Sequence, residues 1–317
     1  MSTTSKPPCI AILRCGDNTS LIAAFRALRP DIDVRAWPEL GRLEDIEAVA
    51  CWSPPPGVCA SLPRLVLIQS LGAGIDHLEI DAELPRGVPV CRIVDPGATT
   101  GMVSYVSWAV AHRHRRMDVV LRARSDRHWL KFEACPTISH TVGIAGMGQM
   151  GRACAVALNA MGYSVRGWSN SAKADLPAYV AHYHGATQLD DFLAACDTLV
   201  CLLPLTIETR GFLCASLFSR LPEGAHVINV GRGAHLNEAD LLAALSSGHI
   251  AGATLDVFMQ EPLPPEHPFW DQEQVLITPH MATRASTLEI ARQTLLNLDC
   301  VRRGNVPEFA VDVDRGY

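Results

Sequence analysis

The chain has 317 residues, 48% of them hydrophobic and 19% charged. That length suits about two domains, and the composition excludes a disordered chain, which combines low hydrophobicity with high charge. The formal net charge of −6 argues against a protein devoted to nucleic acid or to an anionic membrane surface.

In chain order, the polar start Met1 to Pro8 carries no apolar run of signal-peptide length. Strands are expected at Cys9–Arg14, Asp33–Trp37, Ala48–Trp52, Leu65–Ser70 and Val88–Ile93, with a helix at Ser20–Leu28. After the turn-like Asp95-Pro96-Gly97, a long helix is expected from Gly101 to Arg116, with a basic tail running on to Arg127. A second series begins at Thr141. Its strands are Thr141–Ala145, Ser164–Trp168, Thr198–Leu203, His226–Val230, Gly252–Val257 and Val275–Thr278. Its helices include Gly151–Met161, Leu189–Ala195 and Glu238–Ser246, and Ser286–Arg303 closes the chain with helical periodicity. Strands alternating with helices indicate βαβ units and parallel sheets. No segment approaches the ~18 unbroken apolar residues of a membrane span.

The eleven cysteines are scattered singly, with no C-x-x-C pair. That pattern lacks a zinc or thioredoxin-like signature and suits reduced core thiols in the cytoplasm. Of the 27 basic side chains only three are lysines, Lys6, Lys131 and Lys173.

Gly146-Met147-Gly148-Gln149-Met150-Gly151 directly follows an expected strand and opens a helix. In that context G-x-G-x-x-G points to a dinucleotide, because small residues admit a pyrophosphate and the helix end supplies N–H groups. A tight turn that binds nothing is the plainer reading. An NAD site places an acid about 20 residues further on. Here Trp168 is followed by Ser169, Asn170, Ser171, Ala172 and Lys173, and the first acid is Asp175. Hydroxyls, an amide and a cation suit a 2′-phosphate, so NADP(H) is favoured and NAD(H) stays possible.

Arg232, Asp256, Glu261 and His280 lie at or just after the ends of expected strands. Ligands of open α/β sheets bind outside those carboxyl ends, so these residues can converge. Arg232 offers a planar fork for a carboxylate, and His280 is a proton donor near neutral pH. Glu261 beside it would favour the charged ring and fix its orientation. His182 and His184 have no acid or thiol at ligand spacing, so no metal is expected. The Arg113–Arg127 stretch reads as a solvated or interface arm rather than a nucleic-acid patch.

Ser70-Leu71-Gly72-Ala73-Gly74-Ile75-Asp76, the glycine fingerprint, Pro204 through Thr209, Asn229 through Gly233, the Asp256/Glu261 segment and Pro279-His280 follow one another in the order found in D-2-hydroxyacid dehydrogenases. The chain resembles that family over nearly its whole length. It is most similar to the NADPH-preferring glyoxylate/hydroxypyruvate reductase A group, through Val94-Asp95-Pro96-Gly97, Glu261 through Pro265 and the closing Asp314-Arg315-Gly316-Tyr317. It departs in Val103-Ser104, where the family usually has Ala-Glu, in Ala285, where relatives often carry Thr, and in Asn170, where the group often has Arg.

The resemblance implies two α/β domains with a cleft between them. A Rossmann-type cofactor domain, 101–284, is inserted into a flavodoxin-like substrate domain made of 1–100 and 285–317. It implies that Arg232 orients the substrate, that His280 protonates the carbonyl oxygen and that Glu261 pairs with His280. The cofactor would be held by Gly146, Met147, Gly148, Gln149 and Met150, by Trp168, Ser169, Asn170, Ser171 and Lys173, and by Leu203, Pro204, Thr209, Val230, Gly231 and Asp256. The substrate would meet Trp52, Leu71, Gly72, Ala73, Gly74 and Arg232. The expected activity is reduction of glyoxylate or hydroxypyruvate to the D-2-hydroxy acid with NADPH, in a homodimer. The alternatives are an NAD-dependent relative of lactate or phosphoglycerate type, and a non-catalytic dinucleotide-sensing binding protein.

Overall fold

A computed structural model describes residues 7–78, 81–133 and 135–313. The closing motif at 314–317 lies outside the described residues. The chain divides into two units, one of residues 1–98 with 284–317 and one of residues 99–283.

The first unit opens with β1 (Cys9–Leu13), α1 (Thr19–Leu28), β2 (Asp33–Ala36), β3 (Ala48–Cys51), β4 (Leu67–Ser70) and β5 (Val90–Cys91). The strands form one parallel sheet in the order β2-β1-β3-β4-β5, the flavodoxin-like order. β1, β3 and β4 are buried throughout, which explains their unbroken apolar runs. β5 is shorter than the expected Val88–Ile93. Arg92 instead donates to the Phe309 carbonyl at 3.1 Å and Ile93 to that of Gly72 at 2.9 Å, so the chain leaves the ladder for loop partners.

The long helix α2 runs Pro96–His114, starting five residues before the expected Gly101. The turn-like Asp95-Pro96-Gly97 is its cap. Asp95 Oδ1 accepts the Gly97 N–H at 2.7 Å, and a proline at the first helical position sacrifices no hydrogen bond. α3 (Met117–Ser125) follows.

The second unit continues with β6 (Thr141–Ala145), α4 (Gln149–Ala160), β7 (Ser164–Ser169), β8 (Ala181–His184), α5 (Leu189–Leu193), β9 (Thr198–Cys201), α6 (Ala215–Phe218), β10 (Ala225–Asn229), α7 (Glu238–Ser246), β11 (Ile250–Leu255) and β12 (Val275–Ile277). All seven strands pair in parallel in the order β12-β11-β10-β9-β6-β7-β8. This is a Rossmann-type order, with its topological switch between β6 and β9. One face of the sheet is covered by α2 and α4 through Val106, Val110, Cys154 and Leu158. The other is covered by α5, α6 and α7 through Phe192, Phe218, Leu241 and Leu245. β8, beyond the expected strands, is a short strand at the sheet's edge that, among the described residues, pairs with β7 alone.

α8 (Thr287–Arg302) returns to the first unit, capped by Ser286, whose Oγ accepts the Glu289 N–H. Its Ile290, Ala291, Leu295 and Leu298 join Ile10, Ile12 and Phe25 in one core. Gln293 donates to the Val94 carbonyl at 2.8 Å and Asn297 to Gln69 Oε1 at 3.0 Å, so the buried amides are paired. Among the described residues, no helix is long and apolar enough to cross a membrane.

Candidate active site

The turn after β6 sits at the switch point, and its three glycines have different reasons. Gly146 has φ +111°, and a Cβ there would meet the Leu202 carbonyl oxygen at 2.5 Å. A Cβ on Gly151 would lie 1.9 Å from the Gly146 oxygen, so α4 packs onto the turn only with hydrogen in that place. Gly148 faces open space and is the N-cap of α4, with no side-chain cap hydrogen bond among the described residues. A cradle with an open helix N-terminus fits a pyrophosphate.

At the end of β7, Trp168 Nε1 donates to the Gly185 carbonyl at 3.0 Å. Ser169 is buried, with its hydroxyl donating to the Ser171 carbonyl at 2.8 Å. Asn170 and Ser171 are exposed and Lys173 is half-buried. These residues are brought together beside the fingerprint turn, because Gly146 donates to the Trp168 carbonyl at 2.8 Å.

Arg232 is carried by the loop after β10. Asn229 ties that loop twice, accepting the Gly231 N–H at 3.2 Å and donating to the Arg232 carbonyl at 3.0 Å. The Arg232 N–H donates to His235 Nδ1 at 2.9 Å. That bond puts the His235 proton on Nε2, which reaches the Pro204 carbonyl at 3.2 Å. The fully buried His235 thus couples the arginine loop to the loop after β9. There Thr209 Oγ1 donates to the Pro204 carbonyl at 2.7 Å and accepts the Thr206 N–H at 2.8 Å. Leu203 and Val230 are buried at the two loop starts.

His280 lies past β12 with φ +50°, a left-handed conformation costly for a non-glycine residue. Its turn is held by Asp256, which is 1% exposed. The Asp256 carboxylate accepts from Thr278 Oγ1 at 2.6 Å and from the Met281 and Ala282 N–H groups, each at 2.9 Å. The His280 N–H donates to the Asp256 carbonyl at 2.9 Å. Tyr105 of α2 completes the network. Thr278 spends its proton on Asp256, so the tyrosine hydroxyl, 2.5 Å away, is the donor to Thr278. Burial, with the charge of Asp256 adding, pushes the Tyr105 phenol up to about 12, which keeps that donor protonated.

His280 Nδ1 lies 2.7 Å from Glu261 Oε2, and Glu261 Oε1 accepts the Phe258 N–H at 3.0 Å. Burial alone would raise the Glu261 pKa. The bonds from His280 and Phe258, with the charges of His280 and Arg232, outweigh it and hold the carboxyl below its ordinary range. Glu261 is therefore ionised at neutral pH, Nδ1 is committed to it, and Nε2 is the atom left to exchange a proton with a ligand.

In the first unit, Ser70 Oγ accepts the Gly72 N–H at 3.1 Å and donates to the Gly74 carbonyl at 2.9 Å, shaping the Leu71–Gly74 loop. Trp52 stacks on His77 with ring centroids 4.0 Å apart. Its Cζ3 would lie 2.7 Å from a Cβ on Gly72, so only glycine lets the ring lie on this loop. Sequence reading missed Tyr105, Thr278, His235 and His77. Tyr105, Thr278 and His77 meet partners remote in sequence, and His235 joins nearby Arg232 to the distant Pro204, so no local motif marks them.

Among the described residues no group of three metal-capable side chains occurs. The rings of His182 and His184 do stack on β8, with centroids 6.0 Å apart.

A paired histidine and glutamate, an arginine on a glycine-bounded loop and a dinucleotide turn in one Rossmann-type unit define an oxidoreductase of the 2-hydroxyacid dehydrogenase class. The family model for the D-isomer specific 2-hydroxyacid dehydrogenase NAD-binding domain matches residues 107–282, and the chain belongs to that family. It is 38% identical over 304 residues to a glyoxylate/hydroxypyruvate reductase A of Yersinia enterocolitica, covering 93% of this chain and 95% of that protein. Among solved structures, a D-isomer specific 2-hydroxyacid dehydrogenase from Xanthobacter autotrophicus Py2, in complex with NADPH and MES, matches with a TM-score of 0.92 at 38% identity, covering 99% of this chain and 100% of that one. An NADPH-dependent glyoxylate/hydroxypyruvate reductase from Sinorhizobium meliloti, in complex with NADP and sulfate, matches with a TM-score of 0.91 at 34% identity, covering 98% and 100% of the two chains.

Proposed function

We propose that this protein uses NADPH to reduce a small 2-oxo acid, glyoxylate or hydroxypyruvate, to the corresponding 2-hydroxy acid, in the D form where the product is chiral. The observation that carries this reading is the His280–Glu261 pair at 2.7 Å, in the same unit as Arg232 and the fingerprint turn. The names of the relatives support the substrate class, and the NADP-bound neighbours support the cofactor.

The cofactor fits the turn, which keeps an open cradle at Gly148. Gly146 through Met150 would hold its pyrophosphate, and Leu203, Pro204, Thr209, Val230, Gly231 and Asp256 its nicotinamide half. Trp168 through Ser171 with Lys173 would hold the adenosine half, where no carboxylate opposes a 2′-phosphate. When bound, NADPH supplies the hydride that adds to the carbonyl carbon. His280 delivers the matching proton from Nε2 to the carbonyl oxygen and regains one from water. Glu261 holds Nδ1 and so fixes the ring. Arg232 grips the carboxylate and polarises the carbonyl with its fork. In the first unit, the Leu71–Gly74 loop and Trp52 are assigned to the substrate's carboxylate and to its small size.

The protein is further proposed to be a cytoplasmic homodimer. The free thiols support a reducing compartment. The exposed apolar side chains Trp108, Leu121, Trp129 and Phe132 support a partner surface along α2, α3 and the segment after them. The test of the activity is kcat/KM for a panel of 2-oxo acids with NADPH and with NADH. The proposal expects glyoxylate and hydroxypyruvate with NADPH to lead. Tight cofactor binding without turnover of any 2-oxo acid would overturn it in favour of a sensor.

A further inference from the structure

His182 stands on β8 beside the turn that follows β7, and nothing in the reaction above uses it. Its Nε2 lies 2.8 Å from Ser169 Oγ. That hydroxyl already donates its only proton to the Ser171 carbonyl, 2.8 Å away. The imidazole must therefore be the donor, with its proton on Nε2. A second proton can go only to Nδ1.

The ring has a second imidazole and two cations about it, from three elements. His184 stacks on it from β8 itself, Lys173 comes from the loop after β7, and Arg152 comes from α4. Arg152 is anchored between the fingerprint turn and that loop, donating to the Met147 carbonyl at 3.3 Å and the Asp175 carbonyl at 2.9 Å. Burial first, then the unfavourable neighbourhood of His184, Lys173 and Arg152 for a charged ring, holds His182 below its ordinary pKa, so it is neutral in the free protein at neutral pH.

Ser171 and Lys173 are among the groups assigned above to the cofactor's 2′-phosphate, Ser169 ties His182 to that turn, and the inference rests on that reading. We infer that His182 is a proton-linked specificity residue: it takes up a proton on Nδ1 when NADPH binds and none when NADH binds.

The physical reason is a local reversal of sign. A phosphate monoester brings about −1.5 to −2 charges into a group of cations that otherwise repel an imidazolium. An opposite charge nearby favours the charged ring. Linkage is reciprocal, so protonation of His182 tightens NADPH and leaves NADH indifferent. The sign is set accordingly. NADPH affinity is highest at low pH and falls as pH rises through the value His182 takes in the complex. The phosphate's own ionisation works the other way. Its second pKa is about 6, and cations drive its last proton off, which releases protons on binding. Just above neutral pH that release is small, and uptake reports the histidine.

The test is calorimetric titration of the intact protein with NADPH and with NADH, just above neutral pH, in two buffers of different ionisation heat. His182→Gln keeps an N–H donor for Ser169 and removes the titration. The wild-type protein should take up several tenths of a proton more than His182→Gln when NADPH binds. NADPH should bind roughly three- to tenfold more weakly to the variant, and NADH should bind both proteins alike. Equal proton uptake by the two proteins would overturn the inference, as would equal weakening of NADPH and NADH, which would mark a structural role. If glutamine disturbs the turn, the wild type alone decides, since uptake with NADPH no greater than with NADH contradicts the proposal. Failure of the underlying reading looks different: wild type would not prefer NADPH over NADH, and Lys173→Ala would leave both affinities unchanged.

Discussion

Replacing Gly233 by alanine perturbs the catalytic loops without touching a reacting group. A Cβ there would stand 1.9 and 2.0 Å from the Phe258 carbonyl carbon and oxygen and 2.4 Å from the Met259 nitrogen, all backbone atoms with no rotamer to move. Ordinary carbon contacts need about 3.5 Å, so the Arg232 loop and the segment after β11 must part by about 1.5 Å. Overpacking of this kind costs about 1–3 kcal/mol of stability, which a folded protein of this size survives. The kinetic cost is larger. The Phe258 N–H holds Glu261 Oε1 at 3.0 Å, and Glu261 holds His280, so the shift separates the arginine from the acid that positions the histidine. A misplacement of about 1 Å costs about 100-fold in rate. Gly233→Ala should therefore lose about 100-fold in kcat/KM for glyoxylate with NADPH. The affinity for NADPH, read by fluorescence titration, should fall far less than kcat/KM, because the groups assigned to its pyrophosphate and adenosine half lie on the fingerprint turn and the loop after β7. A folded variant with wild-type kcat/KM would refute the reasoning.

Thr278→Val removes a donor to buried Asp256 and the acceptor of Tyr105, costing about 1.5–3 kcal/mol in a urea titration. With the His280 turn loosened, kcat/KM should fall roughly tenfold or more; an unchanged midpoint would remove Asp256 from its positioning role. Burial holds His226 well below its ordinary value, and its buried Nδ1 has no hydrogen-bond partner among the described residues. Its stabilising contribution is present above the unfolded value of about 6.5 and is lost as pH falls below it, at up to about 1.4 kcal/mol per pH unit. Urea midpoints should thus drop between about pH 6.5 and 5, with a shallower slope in His226→Gln. Thiol titration of the native protein should label exposed Cys15 and Cys135 first. Burial pushes Cys154, Cys196 and Cys201 up to about 12, so these should react only on unfolding. Fast labelling of either set in the opposite order would contradict the burial pattern.

The parts of the site that can be read in the sequence are those where local chemistry leaves no choice. Gly146 and Gly151 are required by backbone contacts within one strand–turn–helix unit, so their spacing shows the turn. Arg232, Glu261 and His280 stand at strand ends, and parallel topology alone makes them neighbours. The start of α2 was hidden because Pro96-Gly97 looks the same in a turn and in a capped first helical turn. Only the Asp95 side chain, which also accepts the Ser286 N–H at 2.8 Å, distinguishes them. Tyr105 and Thr278 are 173 residues apart, and His235 serves Arg232 through a ring nitrogen. No periodicity records such pairings.

The central claim is that His280 gives a proton to the substrate as hydride arrives. Single-turnover mixing of the NADPH-loaded protein with glyoxylate, wild type against His280→Ala, tests it most directly. The account predicts a fall of about 100- to 10,000-fold in the rate of NADPH oxidation, with NADPH affinity and melting behaviour retained. A His280→Ala protein that oxidises NADPH at the wild-type rate would contradict it.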